Sequence, residues 1–288
     1  FGINNLFLLD GMKLNRKRER DKFSIKTKYR PPYSSSYGIV DKEFLCESEQ
    51  VVVSGNSFSF SDYMDIRKIA LLIHTTKIFG FYRKVIDYLV DSGLQITQIF
   101  AEMMDVGPHQ RYIAEQKMFV DEFVEAARCE LSENYDELCI KLKKRFSDNK
   151  NQNPVPERLN TLFGARLVYQ EKWFDKSLDQ IVDDEKKNKV YKDLMMISNI
   201  EWVDLKNLKR HKEIVVNGET LKYLGMGDNI SANSMYSVSF SLSTNQYKII
   251  TEYNKTCSLV ERDYYFHILN SVYPREILQY QDISINKL

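Results

Sequence analysis

Four histidines and four cysteines are the residues here best suited to metal or redox chemistry. His74, His109, His211 and His267 form no H-E-x-x-H pair and do not stand with cysteines at zinc spacing. His74 lies in an apolar stretch of helical period, which predicts a packed residue. His109 follows Pro108 near a helix start and reads as surface. Cys46, Cys129, Cys139 and Cys257 are tens of residues apart except for one C-x9-C. That spacing matches no redox or metal motif and predicts reduced thiols in a cytosolic setting. Cys129 and Cys139 fall on predicted helices and read as inert. Gly225-Met226-Gly227 is a lone G-x-G beside strand-like runs. It lacks the strand-to-helix setting of a dinucleotide fingerprint and reads as a turn. No phosphate loop and no nucleophile elbow occur. The expectation is therefore no catalytic residue and no metal site formed by this chain alone.

The densest group of reactive side chains is basic: Lys13–Arg20 with Lys26, Lys28 and Arg30. A functional reading makes it an anion contact near a strand end, where ligands of open α/β sheets gather. The bland reading, a solvated charged segment diluted by Glu19 and Asp21, is favoured. The Tyr-rich loop Tyr29–Tyr37 is either an adaptable contact surface or a cover for a neighbouring sheet.

These residues sit in a chain of 288, with 41 Lys+Arg against 40 Asp+Glu, a formal net charge of +1. The balance argues against a nucleic-acid surface over the whole protein. With 43% hydrophobic and 28% charged residues, the composition is that of a soluble globular protein of one large or two smaller domains. No run of about 18 apolar residues is present, so no membrane-spanning helix is expected. The chain opens at Phe1, and the apolar run Ile3–Leu9 starts almost at once. Native termini usually fray in polar residues, so the expectation is a piece of a longer protein.

The elements that would position these groups follow from periodicity. Asn5–Leu9, ending at Asp10-Gly11, predicts a strand buried on both faces, as in a parallel sheet. Arg30–Gly38 reads as a loop and Glu49–Gly55 as a strand. Ser59-Phe60-Ser61-Asp62 has the S-x-x-D form of a helix start, followed by Ile66, Ile69, Ala70 and Ile73 at helical spacing. Further helices are predicted over Phe81–Val90, Pro108–Leu131, Tyr135–Phe146 and 170–196, with a linker at Asp148–Pro156. Asn217-Gly218 between His211–Val216 and Glu219–Tyr223 predicts a tight hairpin. Tyr236, Val238, Phe240 and Leu242 alternate with serines, a strand of period two, with Tyr247–Tyr253 as its expected partner. A helix is predicted over Glu261–Asn270.

Read in order, residues 1–90 resemble a known family. The strand ending Leu9-Asp10-Gly11-Met12-Lys13-Leu14-Asn15 is followed by Ser24-Ile25-Lys26-Thr27-Lys28-Tyr29-Arg30-Pro31. Then come Tyr37-Gly38, the Glu49–Ser54 strand and Ser57-Phe58-Ser59-Phe60-Ser61-Asp62-Tyr63-Met64-Asp65-Ile66-Arg67. This order resembles the segment after the last strands of the radical S-adenosylmethionine (SAM) barrel, in enzymes carrying an N-terminal cobalamin-binding domain. That family has a K-T-[KR]-[YF]-R stretch, a "YG" loop, a V-V-V-S/T strand and an S-F-x-D-Y/W-x-x-x-R helix opening. The match covers about a third of the chain. The C-x-x-x-C-x-x-C loop that holds the family's [4Fe–4S] cluster is absent, as is the D-x-H-x-x-G cobalamin motif, and no family catalytic residue maps here. The nearest cofactor-binding candidates are Asp10, Gly11 and Lys13, at the expected barrel-strand end.

The resulting expectation is an α+β chain, mostly helical, with a short barrel-edge segment at its start and a small antiparallel β meander near its end. Its expected divisions are 1–58, 59–150 and 151–288. The resemblance implies a C-terminal accessory portion that shapes the substrate pocket of a cytoplasmic radical SAM enzyme. The segment would be inactive alone and hold no cofactor itself. The parent protein would carry the [4Fe–4S] cluster, SAM and, in the cobalamin-binding type, cobalamin. Its partners would be the upstream barrel and cobalamin-binding domains and an unidentified small-molecule substrate, with no membrane. The alternative is a free-standing helical module that binds a protein or peptide through an apolar groove on the 59–146 helices.

Overall fold

The computed structural model describes residues 21–31, 37–40, 43–106, 113–148, 159–169, 171, 173–203, 208–227, 229–256 and 279–288. The elements in chain order are β1 (Lys26–Arg30), β2 (Tyr37–Val40), β3 (Glu43–Cys46), β4 (Glu49–Ser54), α1 (Phe60–Ile73), α2 (Arg83–Asp91), α3 (Ile96–Met103), α4 (Ala114–Cys129) and α5 (Tyr135–Asp148). They continue with α6 (Leu159–Tyr169), α7 (Phe174–Ile181), α8 (Lys189–Ile200), β5 (His211–Asn217), α9 (Gly218–Tyr223), β6 (Met235–Ser241), α10 (Thr244–Thr256) and β7 (Asp282–Lys287). The fold is α+β and mostly helical. Among the described residues, no helix is long and apolar enough to cross a membrane. The expected strand at Asn5–Leu9, the linker after Asp148 and the helix at Glu261–Asn270 lie outside the described residues.

Contacts divide the chain into two compact units. One comprises Phe1–Leu71 and Lys117–Leu162, the other Leu72–Gln116 and Phe163–Leu288.

In the first unit, β1 pairs antiparallel with β4, Arg30 opposite Glu49 and Lys28 opposite Val51. β2 pairs antiparallel with β3. Three of these strands, β1, β2 and β3, were not expected from the sequence. Tyr37 and Gly38 open β2 instead of ending a loop, and β1 forms inside a stretch whose charge hid its alternation. Val51, Val52 and Val53 put the β4 backbone in the core. The S-x-x-D helix start forms as expected: Ser59 N–H donates to Asp62 Oδ2 at 2.7 Å and Asp62 N–H to Ser59 Oγ at 3.2 Å. Each side chain thereby satisfies one orphan amide of the first turn. After α4 the chain is tied back to β1, since Tyr29 and Ser132 exchange backbone hydrogen bonds of 2.8 Å in both directions.

In the second unit, the residues after α1 continue as a π-helical stretch, His74–Ile78, closed by Phe79 N–H donating to the His74 carbonyl at 3.0 Å. Thr75 and Thr76 are fully buried there, and Thr76 bonds back to the Leu72 carbonyl at 2.8 Å. Gly164 of α6 fits against this stretch only because it lacks a side chain: a Cβ would stand 2.9 Å from Thr75 Oγ1. Phe174 anchors an aromatic cluster, its ring centroid 5.3 Å from Phe81 and 4.9 Å from Tyr82. Tyr82 precedes α2 with a left-handed φ of 54°, held by its hydroxyl donating to Asn199. Burial pushes that phenol above its ordinary range.

The expected antiparallel sheet near the C-terminus is present, in the order β5-β6-β7, but its connections differ. Asn217-Gly218 makes no hairpin. The Asn217 carbonyl oxygen Oδ1 accepts from Thr220 N–H at 2.8 Å and caps α9, so Glu219–Tyr223 is helical instead of a strand. Asp193 locks the cap, accepting from Asn217 N–H and Thr220 Oγ1, both at 2.8 Å. Gly218 is needed for close approach: an added Cβ would sit 1.9 Å from the Ser231 carbonyl oxygen. Likewise Tyr247–Tyr253 belongs to α10, not to a strand. Ser243 and Gln246 form a second capping box, with bonds of 2.9 and 3.2 Å. The partner of β6 is β7. The serine face of β6 is covered too, with Ser237 4% and Ser239 8% exposed.

Replacing Gly218 by Ala is expected to lower unfolding stability by about 2–3 kcal/mol through overpacking. A urea titration should show a lower midpoint at an unchanged m-value.

Candidate functional site

The chemically active side chains of the first unit gather around the ends of β1 and β4 and the start of α1. There an open depression of about 890 Å3 is lined by Ser24, Lys26, Thr27, Lys28, Val53–Phe60, Asp62 and Glu133. Its floor combines hydroxyls, two lysines and two phenylalanines. The antiparallel bend of the chain between β1 and β4 brings Thr27 across from Val52. The Ser57–Ser59 turn then folds over the strand end, with Gly55 N–H donating to the Phe58 carbonyl at 2.9 Å. Lys28 pairs with Glu133, and its ammonium lies 5.3 Å from the Phe60 ring centroid. Such a lysine is held by an acid and an aromatic face and is poised as a fixed point charge. Asp62 accepts two bonds from Ser59, from its amide and from its hydroxyl at 2.9 Å. These bonds hold its carboxyl below the usual aspartate range.

At the other end of the β1–β4 pair lies a buried ion network. Arg30 Nε donates to Glu49 Oε1 at 2.6 Å, and Arg30 Nη1 lies 3.9 Å from Glu130 Oε2. Arg67 Nη2 donates to the same Glu130 oxygen at 3.0 Å, and Arg67 Nη1 to the Tyr63 hydroxyl at 3.3 Å. The side chains of Arg30, Arg67 and Glu130 are 0%, 2% and 8% exposed. Glu130 also borders a second pocket of about 490 Å3, where Pro31, Ala126, Leu138, Leu142 and Leu159 meet the charged Lys141 and Arg145.

Of the basic residues singled out in the sequence, Lys26 and Lys28 line the open depression, and Arg30 is spent on internal pairing. Asp10, Gly11, Lys13 and the remainder of the basic cluster up to Arg20 lie outside the described residues, as do His109, Cys257 and His267. His74 is half-buried and meets the Phe79 ring edge-on at 4.6 Å. His211 is exposed, with Nδ1 3.0 Å from Ser241 Oγ. Gly225 and Gly227 form a turn, both at positive φ. Cys129 is exposed, its thiol donating to Glu125 at 3.4 Å. Cys46 and Cys139, by contrast, come together, and their 93-residue separation carried no sequence signal. Glu130 and Glu133 were also missed, because an acid in a charged helix terminus looks solvated until its partners fold around it.

The donor set of the described residues does not match the thiolates that an iron–sulfur cluster requires. Among the described residues, no group of three or more His, Cys, Asp or Glu side chains is gathered to hold a metal ion. Such clusters require thiolates, and only two of the described cysteines adjoin. Comparison with protein-family models and with curated proteins finds no match for this chain.

The Glu130→Gln variant keeps the shape and removes the charge shared by two buried guanidinium groups. It is expected to cost about 3 kcal/mol in chemical denaturation, because an uncompensated buried charge is left behind.

The folded pKa of Asp62 is depressed, so its contribution to stability is present above the unfolded value and is lost as pH falls through the lower folded value. Carboxyl NMR titration should give Asp62 a midpoint below its ordinary 3.8, and Ser59→Ala should move it back up.

Proposed function

We propose that this chain is the C-terminal accessory region of a radical SAM enzyme of the cobalamin-binding type, which works in the cytoplasm and helps shape a small-molecule substrate pocket beside the upstream barrel. One observation carries the reading. The two arginines that end the resembling phrases, Arg30 of Lys26–Arg30 and Arg67 of Ser59–Arg67, both pair with Glu130. Two motif positions 37 residues apart are thus explained by one buried acid. They serve architecture, as suits an accessory region that is inactive alone. The hydroxyl and lysine side chains of the same phrases line the open depression, a surface suited to a polar substrate or to the neighbouring barrel. The [4Fe–4S] cluster, SAM and cobalamin belong to the parent protein, upstream of these residues.

The sequence encoded directly upstream of Phe1 is expected to hold C-x-x-x-C-x-x-C within about 200 residues, roughly the length of a barrel of this type. The longer protein, reconstituted anaerobically with iron and sulfide, should gain the broad absorption of about 400 nm that thiolate-held clusters give, whereas this chain alone should not. A cluster spectrum from this chain alone, or a start codon immediately before Phe1, would overturn the reading.

A further inference from the structure

Cys46 ends β3, and Cys139 stands on the second turn of α5. Their sulfurs are 2.8 Å apart. A disulfide bond is about 2.05 Å long, so closure asks for only about 0.8 Å of further approach. The surroundings hold the two together. Phe44 and Cys46 pack against the buried Leu138 and Leu142 of α5. Tyr135, one turn before Cys139, donates its hydroxyl to the Cys46 carbonyl at 3.2 Å and pins the strand end to the helix. Both thiols are partly buried but not sealed from solvent. Burial, and then the neighbouring thiol, push Cys46 up to about 11.

We propose that Cys46 and Cys139 form a modification site: a dithiol that a small disulfide oxidant of the glutathione class converts into an intramolecular disulfide between β3 and α5. One thiol of the pair, once deprotonated, attacks a sulfur of the oxidant, forming a mixed disulfide and releasing one thiolate. The other then attacks the protein sulfur of that mixed disulfide, forming the Cys46–Cys139 bond and releasing the second thiolate. The two protons lost by the cysteines end on the two released thiols, and the oxidant takes up the two electrons. The product ties the β2–β3 hairpin to the helix that follows α4. The inference stands on the geometry of the pair and is independent of the function proposed above.

The full chain, folded and treated with oxidised glutathione, alkylated and digested, is expected to yield a linked pair of peptides carrying Cys46 and Cys139. The intact mass falls by about 2 Da, two hydrogens per disulfide formed. The oxidised protein should melt about 5 °C or more above the dithiothreitol-reduced form, because the bridge closes a long loop in the unfolded chain. Cys46→Ser and Cys139→Ser should each abolish the link, and Cys129→Ser should retain it. The decisive readout is the wild-type peptide map, which needs no variant to fold. Recovery of Cys46 and Cys139 as separate alkylated or glutathionylated peptides, or linked instead to Cys129 or Cys257, would overturn the proposal.

Discussion

Glu130 is the residue on which the first unit closes. One of its oxygens faces two guanidinium groups, one from β1 and one from α1, while Glu49 of β4 holds the first of them from the other side. A buried guanidinium unpaired would cost several kcal/mol, and a single carboxylate between two of them removes most of that penalty only when all three are correctly placed. The network therefore penalises any arrangement in which strand, helix and the end of α4 fail to meet. It is a constraint on geometry more than a source of net stability. The paired backbone bonds between Tyr29 and Ser132 act on the same junction, from the residue beside Arg30 and the residue two beyond Glu130.

That closure bears on the surface at the other end of the β1–β4 pair. With β1 and β4 fixed by the Arg30–Glu49 pair at one end of their register, their other end carries Lys26, Thr27, Val53 and Ser54 into the wall of the open depression. The capping box at Ser59 and Asp62 completes the wall by fixing where α1 begins. The polar side chains left on that surface are hydroxyls and lysines whose neighbours orient them, as Glu133 and Phe60 orient Lys28.

Much of the secondary structure could be read from local chemistry. The Ser59–Asp62 start, the α5 helix and the β4 strand are specified by residues within a few positions of one another, and they form as their patterns predict. Two segments expected as strands are instead committed to helices by their caps. Asn217-Gly218 satisfies two local rules, a hairpin turn and a helix cap, and the choice between them is made by Asp193, 24 positions away, which accepts from the Asn217 amide. Residues 247–253 likewise contain the β-branched and aromatic residues of a strand, and the cap formed by Ser243 and Gln246 commits them to a helix.

The sequence by itself determined the capping box that opens α1, the α5 helix and the β4 strand. These are short-range matters, settled by hydrogen-bond reach along the chain and by hydrophobic period. Only the tertiary structure decided which charges are internal, which lysines stay on the surface, and that Cys46 meets Cys139. Such pairings depend on side chains far apart in the chain arriving within about 3 Å, the reach of a hydrogen bond. Composition and spacing along a chain do not encode that distance; it emerges when burial removes water and each polar group must find a partner in the fold.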